Sequence, residues 1–385
     1  MRIPFHSAAL GAAALARRGC NETSAAPSTV LLTTTGTIIV ATFDGSSFTT
    51  TLNESITGAP TWVEFVEPNL LYAVDEWDVG LRVFNLDVAD DGSATLSEPI
   101  AEASGSSGVV HLEFSQDGSR LVGSAYGGGS VDVWDVSGGQ LSLLKTIPSE
   151  GELGPVKPNQ AAPHPHEAVL DPSGRFFAVN DLGTDEILLI DSQDDAFNLA
   201  GTVKVEPAGS GPRHGVFFPA DADKATHYIL VNELANTVKV FSLEYRADDI
   251  AFTEVQSIST FQSGTAPSGA AAGEIVLASS GTDLYVSNRL VGGASDTLAH
   301  FTIDTSSGLS LTLESEVPSG GVLPRMFSLS TDGSELFVGN QNGPAGVAVF
   351  DVNEDGSLAA EPKATIDVGE FGGEGFGPPY IKQIR

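Results

Sequence analysis

The chain has 385 residues, of which 41% are hydrophobic, so it can bury one large core or two modest ones. Its formal net charge of −32, with only 18 lysines and arginines, disfavours binding to nucleic acid or to an anionic membrane surface. The single cysteine, Cys20, excludes a disulfide framework and a cysteine-based metal site.

The N-terminal segment resembles a secretory signal. Its apolar run "AALGAAALA" (8–16) is too short to span a bilayer and ends in small residues. Two glycosylation sequons, at Asn21 and Asn53, fit a secreted chain. We therefore predict a signal peptide and flexible leader over residues 1–26, one domain over 27–385, and a secreted protein. The alternative is a disordered leader on a cytoplasmic protein.

An internal repeat follows the leader. The 43 glycines and 21 prolines, with no long apolar stretch at helical period, predict short strands joined by turns. Six strand-like segments share one form, and successive starts differ by 50, 55, 52, 56 and 52 residues. These segments are "LYAVDE" (71–76), "LVGSAY" (121–126), "FFAVND" (176–181), "YILVNE" (228–233), "LYVSNR" (284–289) and "LFVGNQ" (336–341).

Each of these segments has one strand-like run before it and two after it, which is typical of a β-propeller blade. A seventh unit begins at "VLLTTT" (30–35) without a leading strand, and the C-terminal "GPPYIKQI" (377–384) has the form of the missing one. We predict an all-β fold, a seven-bladed β-propeller whose last strand completes the first blade. A two-sheet β-sandwich is the alternative, but it does not predict even spacing.

Two columns of side chains recur along the repeat. The start of the first strand of a blade and the end of the second meet on one face of the disc, so these side chains converge at one mouth of the central channel. The first column reads Trp62, His111, His166, His214, Glu274, Met326 and Tyr380, and the second reads Glu76, Tyr126, Asp181, Glu233, Arg289 and Gln341. We expect Asp181 to neighbour His166. Solvation by channel water is the alternative reading of any one of these polar residues.

Three arginines belong to this mouth. Arg213 and Arg325 occupy the position just before the first column, and Arg289 lies in the second. In so acidic a chain they indicate an anionic ligand. A zinc site at His164 and His166, with Asp181 or His214, is the alternative, but the arginines would repel a cation. We therefore expect no metal and no other cofactor.

The motifs "APHPHEAVLDPSGRFFAVNDLGTDEI", "GSGPRHGVFFP", "YILVNELANTVKVF", "LYVSNR" and "PRMFSLSTDGSELFVGNQ" together resemble the lactonase family of seven-bladed propellers. That family holds one type of 6-phosphogluconolactonase and the fungal 3-carboxymuconate cyclases, and the leader looks more like the secreted cyclase-like members. The resemblance runs from about residue 30 to 385 and implies a metal-independent site. Two departures from the family pattern, Asn159 and Glu167, remove one cation and add one carboxylate.

The resemblance implies two directions of lactone chemistry, intramolecular cyclisation of an unsaturated carboxylate or lactone hydrolysis. The predicted catalytic residues are His166 or Glu233 as the acid/base group, with Arg213 and Arg289 holding a carboxylate or oxyanion. The predicted substrate-binding residues are His164, Asp181, His214, Arg325, Gln341 and Glu76. A secreted propeller that binds a ligand without catalysis is the alternative. The sequence decides neither the lactone or muconate, nor the oligomeric state.

Overall fold

The computed structural model describes residues 27–385, whose strands form seven sheets. The predicted signal peptide, its cleavage site and Asn21 lie outside these residues. Asn53, the other sequon, is exposed on the outermost strand of the first sheet. The predicted all-β, seven-bladed β-propeller is confirmed.

Six of the sheets contain four strands, and the second contains five because β8 also pairs with β6. The first three sheets contain β1 (Ser28–Thr34), β2 (Thr37–Phe43), β3 (Phe48–Ser55) and the C-terminal β29 (Tyr380–Gln383); β4 (Val63–Val66), β5 (Leu70–Val74), β6 (Gly80–Val88), β7 (Ala94–Leu96) and β8 (Ala101–Ser104); and β9 (Val109–Phe114), β10 (Arg120–Ala125), β11 (Ser130–Asp135) and β12 (Ser142–Pro148).

The fourth to seventh sheets follow the same meander. They contain β13 (Pro165–Leu170), β14 (Phe176–Asp181), β15 (Glu186–Asp191) and β16 (Asn198–Lys204); β17 (Pro212–Phe218), β18 (His227–Asn232), β19 (Thr237–Tyr245) and β20 (Ile250–Ser259); β21 (Ala271–Leu277), β22 (Asp283–Arg289), β23 (Thr297–Asp304) and β24 (Ser310–Pro318); and β25 (Val322–Leu329), β26 (Glu335–Asn342), β27 (Ala345–Asp351) and β28 (Ala364–Asp367).

The helical content of the described residues consists of short 3₁₀ turns, at Ser137–Gly139, Gln193–Asp195 and Val368–Phe371. In this part of the chain no helix has the length and apolar character needed to cross a membrane.

The two chain ends close the ring as the sequence predicted. β29 pairs antiparallel with β1, and Leu32 lies opposite Ile381. Both side chains are buried. The last strand therefore covers an edge of β1 that would otherwise present unpaired backbone groups to solvent.

The hydrophobic core lies between neighbouring sheets. One cluster joins Val231 and Val238 of the fifth sheet to Ile275, Leu284 and Phe301 of the sixth. The innermost strands also contact one another from β4 through β9, β13, β17, β21 and β25 to β29. Each blade is thus held by its two neighbours, and the side chains at the channel occupy fixed positions.

Candidate active site

β-Bulges lie at four places among the polar residues of the channel. The pairing of the innermost strand with the next strand shifts register at His166, Arg213, Gly273–Glu274 and Arg325. A bulge leaves one residue without a partner in the ladder and re-aims its side chain, and bulges are frequent beside active sites. The regular repeat therefore breaks at four of the positions that the sequence singled out.

Two arginines converge on one carboxylate at the channel mouth. Arg213 Nε lies 3.0 Å from Glu233 Oε2, and Arg289 Nη2 lies 2.7 Å from the same oxygen. Arg213 is 1% exposed, and its Nη1 is buried without a hydrogen-bond partner among the described residues. Burial, and then Arg289, lower the pKa of Arg213 to about 10, so the guanidinium stays charged at neutral pH.

The third arginine completes the cluster. Arg325 Nη1 and Nη2 bind the two carboxylate oxygens of Glu76 at 3.3 and 2.7 Å. Burial opposes ionisation of both Glu76 and Glu233, but the arginines outweigh it and hold both pKa values below the ordinary one. A general acid near neutrality needs a raised pKa. The two arginine contacts and the lowered pKa of Glu233 favour the role of a counter-ion, and the acid/base role that the sequence analysis gave to Glu233 stays a prediction.

A layer of histidines and carboxylates lies beside the arginines. His214 Nε2 is 3.2 Å from His166 Nδ1, and His214 Nδ1 is 2.8 Å from Glu274 Oε1. Burial, and then Arg213, lower the pKa of both His166 and His214 well below the ordinary value. Both imidazoles are therefore neutral at neutral pH, and His166 can accept a proton.

Asp181 contacts His164 rather than His166. It is fully buried, and its Oδ1 accepts the backbone N–H groups of His164, Gly183 and Thr184 at 2.8, 2.8 and 3.1 Å. The bulge at His166 shifts the pairing, so that Pro165 lies opposite Asp181. Asp181 thus neighbours His166 in the strand pairing, as expected, but its hydrogen bonds hold the loop that carries His164.

His164 and Gln341 lie at the same mouth. The His164 ring stacks on Tyr126 at a centroid distance of 4.1 Å, and its Nδ1 donates to the Tyr126 carbonyl at 2.7 Å. Gln341 lies near the end of β26, next to Asn340, which pairs with Pro324 before the Arg325 bulge. The substrate-binding roles of these two residues stay predictions.

The structure adds two carboxylates to the residues that sequence reasoning used. Glu274 belonged to the first column, but its contact with His214 was not foreseen. Glu167 was noted only as a departure from a family pattern, yet its Oε1 lies 3.4 Å from His214 Nδ1. Column position was the available signal for Glu274. The sequence contained no such signal for Glu167, because successive side chains along an ordinary strand point to opposite faces, and Glu167 would then face away from the channel that His166 faces.

The ligands of the alternative zinc site, His164 and His166 with Asp181 or His214, do not together form a cluster at metal-ligand spacing among the described residues. His166 and His214 instead bond to each other, and Asp181 Oδ1 is taken by backbone N–H groups. Within residues 27–385, the one cluster with suitable spacing is Glu167, His214 and Glu274.

Comparison with known proteins gives the family. The family model described as lactonase, 7-bladed beta-propeller, matches residues 27–372. The chain belongs to this lactonase family, and it is therefore an enzyme that acts on lactones. A relative from Arthroderma benhamiae, named a probable 6-phosphogluconolactonase, is 34% identical to this lactonase over 331 residues, covering 84% of this chain and 81% of the relative.

Solved structures share the fold of this lactonase. A putative 6-phosphogluconolactonase from Bacteroides fragilis has a TM-score of 0.78 at 24% identity, covering 94% of this chain and 99% of that one. A periplasmic gluconolactonase from Pseudomonas aeruginosa has a TM-score of 0.77 at 24% identity, covering 92% of this chain and 98% of that one. At this identity the likeness shows the fold alone.

Proposed function

We propose that this lactonase hydrolyses a lactone that carries an anionic group, of the 6-phosphogluconolactonase type. The observation that carries the proposal is the buried guanidinium of Arg213, whose Nη1 has no partner within the described residues. Arg213, Arg289 and Arg325 contribute three positive charges, against two negative charges from Glu76 and Glu233. The net charge of +1 suits one anionic group of a substrate.

His166 is the group best suited to activate water. Its Nδ1 faces His214 Nε2, which leaves Nε2 as the atom available to a water molecule. In hydrolysis, His166 takes a proton from water and the hydroxide adds to the lactone carbonyl carbon. The ring C–O bond then breaks as His166 returns the proton to the leaving ring oxygen, which gives a hydroxy acid. Arg213 or Arg289 stabilises the negative charge on the carbonyl oxygen. His214 and Glu274 orient the His166 ring.

Cyclisation of a carboxymuconate, the other sequence prediction, uses the same groups and stays a prediction. The non-catalytic alternative receives no support from the comparisons. We also propose that the protein is secreted, on the basis of the leader alone. N-terminal sequencing of the native protein tests this, since a chain that begins at Met1 would contradict it.

The function is tested with a panel of lactones. Hydrolysis of 6-phosphogluconolactone, uncharged gluconolactone and a carboxylated lactone is followed at constant pH, with the spontaneous rate subtracted, and a carboxymuconate is included for cyclisation. We expect turnover, with kcat/KM higher for the charged lactones. Arg213→Ala should lower kcat/KM by about ten- to a thousandfold. Arg246→Ala, which removes an exposed arginine elsewhere, is the matched control.

No acceleration over spontaneous hydrolysis with any lactone would refute the proposal. A preference for the uncharged lactone would refute the role given to the three arginines.

A further inference from the structure

A continuous chain of hydrogen bonds runs behind His166. His166 Nδ1 lies 3.2 Å from His214 Nε2, and His214 Nδ1 lies 2.8 Å from Glu274 Oε1. Burial lowers the pKa of both histidines, so each neutral ring carries one N–H group and one lone pair. Two opposite orders of donor and acceptor fit these distances. Only one of them leaves a lone pair on His166 Nε2, the atom that faces the water in the proposed hydrolysis.

The order of donors is decided at Glu274. Its Oε1 accepts the backbone N–H of Ile275 at 3.1 Å, and its own backbone N–H donates to Ser287 Oγ at 2.9 Å. Burial raises the pKa of Glu274 to about 7, so both protonation states occur near neutral pH. Because Oε1 already receives an N–H group, a proton on this carboxyl group favours Oε2, which is buried without a partner among the described residues. Oε1 is therefore an acceptor in both states.

An acceptor at this position fixes the tautomers of both histidines. His214 Nδ1 must donate to Glu274 Oε1, so His214 Nε2 has a lone pair and accepts the Nδ1–H group of His166. The remaining nitrogen, His166 Nε2, then also has a lone pair, and this is the form that can take a proton from water. The opposite order would place a hydrogen on His166 Nε2 and remove the base.

Glu167 lies near the same nitrogen of His214 but cannot replace Glu274. Its Oε1 is 3.4 Å from His214 Nδ1, beyond the usual hydrogen-bond range of about 2.7 to 3.2 Å. Its Oε2 accepts Gly215 N–H at 2.5 Å and Asn180 Nδ2–H at 3.1 Å. Burial, and to a smaller extent Glu274, raises the pKa of Glu167 well above the ordinary value, so Glu167 is protonated, with the hydrogen on Oε1. Glu167 therefore offers His214 a hydrogen rather than a lone pair.

We propose that Glu274 is a positioning residue that sets the tautomer of His166, through His214, by acting as a hydrogen-bond acceptor. This inference rests on the proposed role of His166 as the base. It goes beyond the orientation of the ring, because it states which nitrogen carries the hydrogen and which residue decides this. The acceptor oxygen of Glu274 is what the site requires, and its negative charge is not.

Nuclear magnetic resonance measures the tautomers directly. In full-length protein labelled with ¹⁵N at its histidines, the ring ¹⁵N shifts and their couplings to the ring protons show which nitrogen carries hydrogen. His166→Gln and His214→Gln assign the two sets of signals by removing them. We expect hydrogen on Nδ1 of both residues in the parent protein. Hydrogen on Nε2 of either residue would overturn the proposal.

Two variants of similar size separate the acceptor from the charge. Glu274→Gln keeps an oxygen for Ile275 N–H and His214, so the tautomers should persist and kcat should fall by less than about fivefold. Glu274→Leu leaves only the Glu167 hydroxyl near His214, so the tautomers should reverse. Its kcat should fall by at least about a hundredfold, with KM changed by less than about threefold. Glu113→Leu, which removes a partly buried carboxyl group from a cavity that Glu274 also lines, should behave as the parent does.

Parental tautomers in Glu274→Leu, or an equal loss of kcat in Glu274→Leu and Glu274→Gln, would overturn the proposal. If Glu274→Leu does not fold, as judged by its circular dichroism, Glu274→Met, which also lacks an acceptor oxygen, takes its place. Because the tautomers are measured without substrate, an absence of lactone turnover would refute the proposed function and leave this test intact. Reversed tautomers in a parent protein that hydrolyses lactones would refute the positioning role and leave the lactonase activity standing.

Discussion

Glu233→Gln separates two roles for the carboxylate at the channel mouth. Glu233 Oε2 receives both Arg213 and Arg289, at 3.0 and 2.7 Å, and Arg213 is almost fully buried. Glutamine has nearly the same shape but no charge. If Glu233 is a counter-ion, the substitution removes the carboxylate that neutralises the buried Arg213 guanidinium, and proton transfer at His166 is unaffected.

The expected loss of stability follows from the burial of these groups. The side chains of Arg213, Arg289 and Glu233 are only 2, 13 and 14% exposed, so solvent screens the pairs weakly. Removing one partner of a buried ion pair costs about 3 to 5 kcal/mol. The glutamine oxygen keeps one hydrogen bond, so we expect the free energy of unfolding to fall by about 3 kcal/mol.

The same substitution should tighten the binding of an anionic lactone. It removes a negative charge beside the site, and at about 5 Å with an effective dielectric constant of about 20 such a charge is worth up to about 3 kcal/mol. We therefore expect KM for the charged lactone to fall and kcat to change by less than about tenfold. KM for an uncharged lactone should change little.

Urea denaturation and steady-state kinetics measure these effects, with Glu244→Gln as the matched control. Glu244 pairs with Arg246 at the surface, with 76% of its side chain exposed, so this variant should lose less than about 1 kcal/mol. A Glu233→Gln protein with parental stability, parental KM and kcat lowered about a hundredfold would refute the counter-ion role. It would restore the acid/base role that the sequence analysis gave to Glu233.

Three further predictions follow from the geometry. His166→Gln should lower kcat by about a hundredfold or more, whereas His227→Gln, at a partly buried histidine of the fifth blade, should not; parental kcat in the His166 variant would contradict the base role. Burial, and to a smaller extent the Glu64 carboxylate, raises the pKa of Glu113 from 4.5 to about 8. Between these pH values the native state holds a proton that the unfolded state has released, so the free energy of unfolding falls as pH rises from about 4.5 to 8. After discounting for partial exposure, Glu113→Gln should gain about 3 kcal/mol over the parent between pH 5 and pH 8 in urea denaturation, and an equal pH dependence in the two proteins would contradict the shift. Ile381→Asp should place a charge opposite buried Leu32 and lower the free energy of unfolding by more than about 3 kcal/mol, and a stable, monomeric variant would show that β29 does not close the ring.

The fold could be predicted from the sequence because its signals are local and repeated. Evenly spaced strand-like segments indicate blades, and the matched motifs around Val30 and Tyr380 indicate how the ring closes. The same regularity brought His166, Arg213, Glu233 and Arg289 to one mouth, since the position of a residue within a blade sets its height along the channel.

The contacts within the site depended on tertiary structure. The bulges at His166 and Arg213 change which side chain faces the channel, so the alternation of side chains along a strand could not place Glu167 beside His214. It also could not show that Asp181 bonds to the backbone of His164. Whether Glu233 is an acid or a counter-ion depends on two arginines from separate parts of the chain that meet on one oxygen. Blade order and column membership are encoded along the chain, whereas pKa values and ion pairs depend on distances of about 3 Å across the ring, which only the packing of neighbouring blades sets.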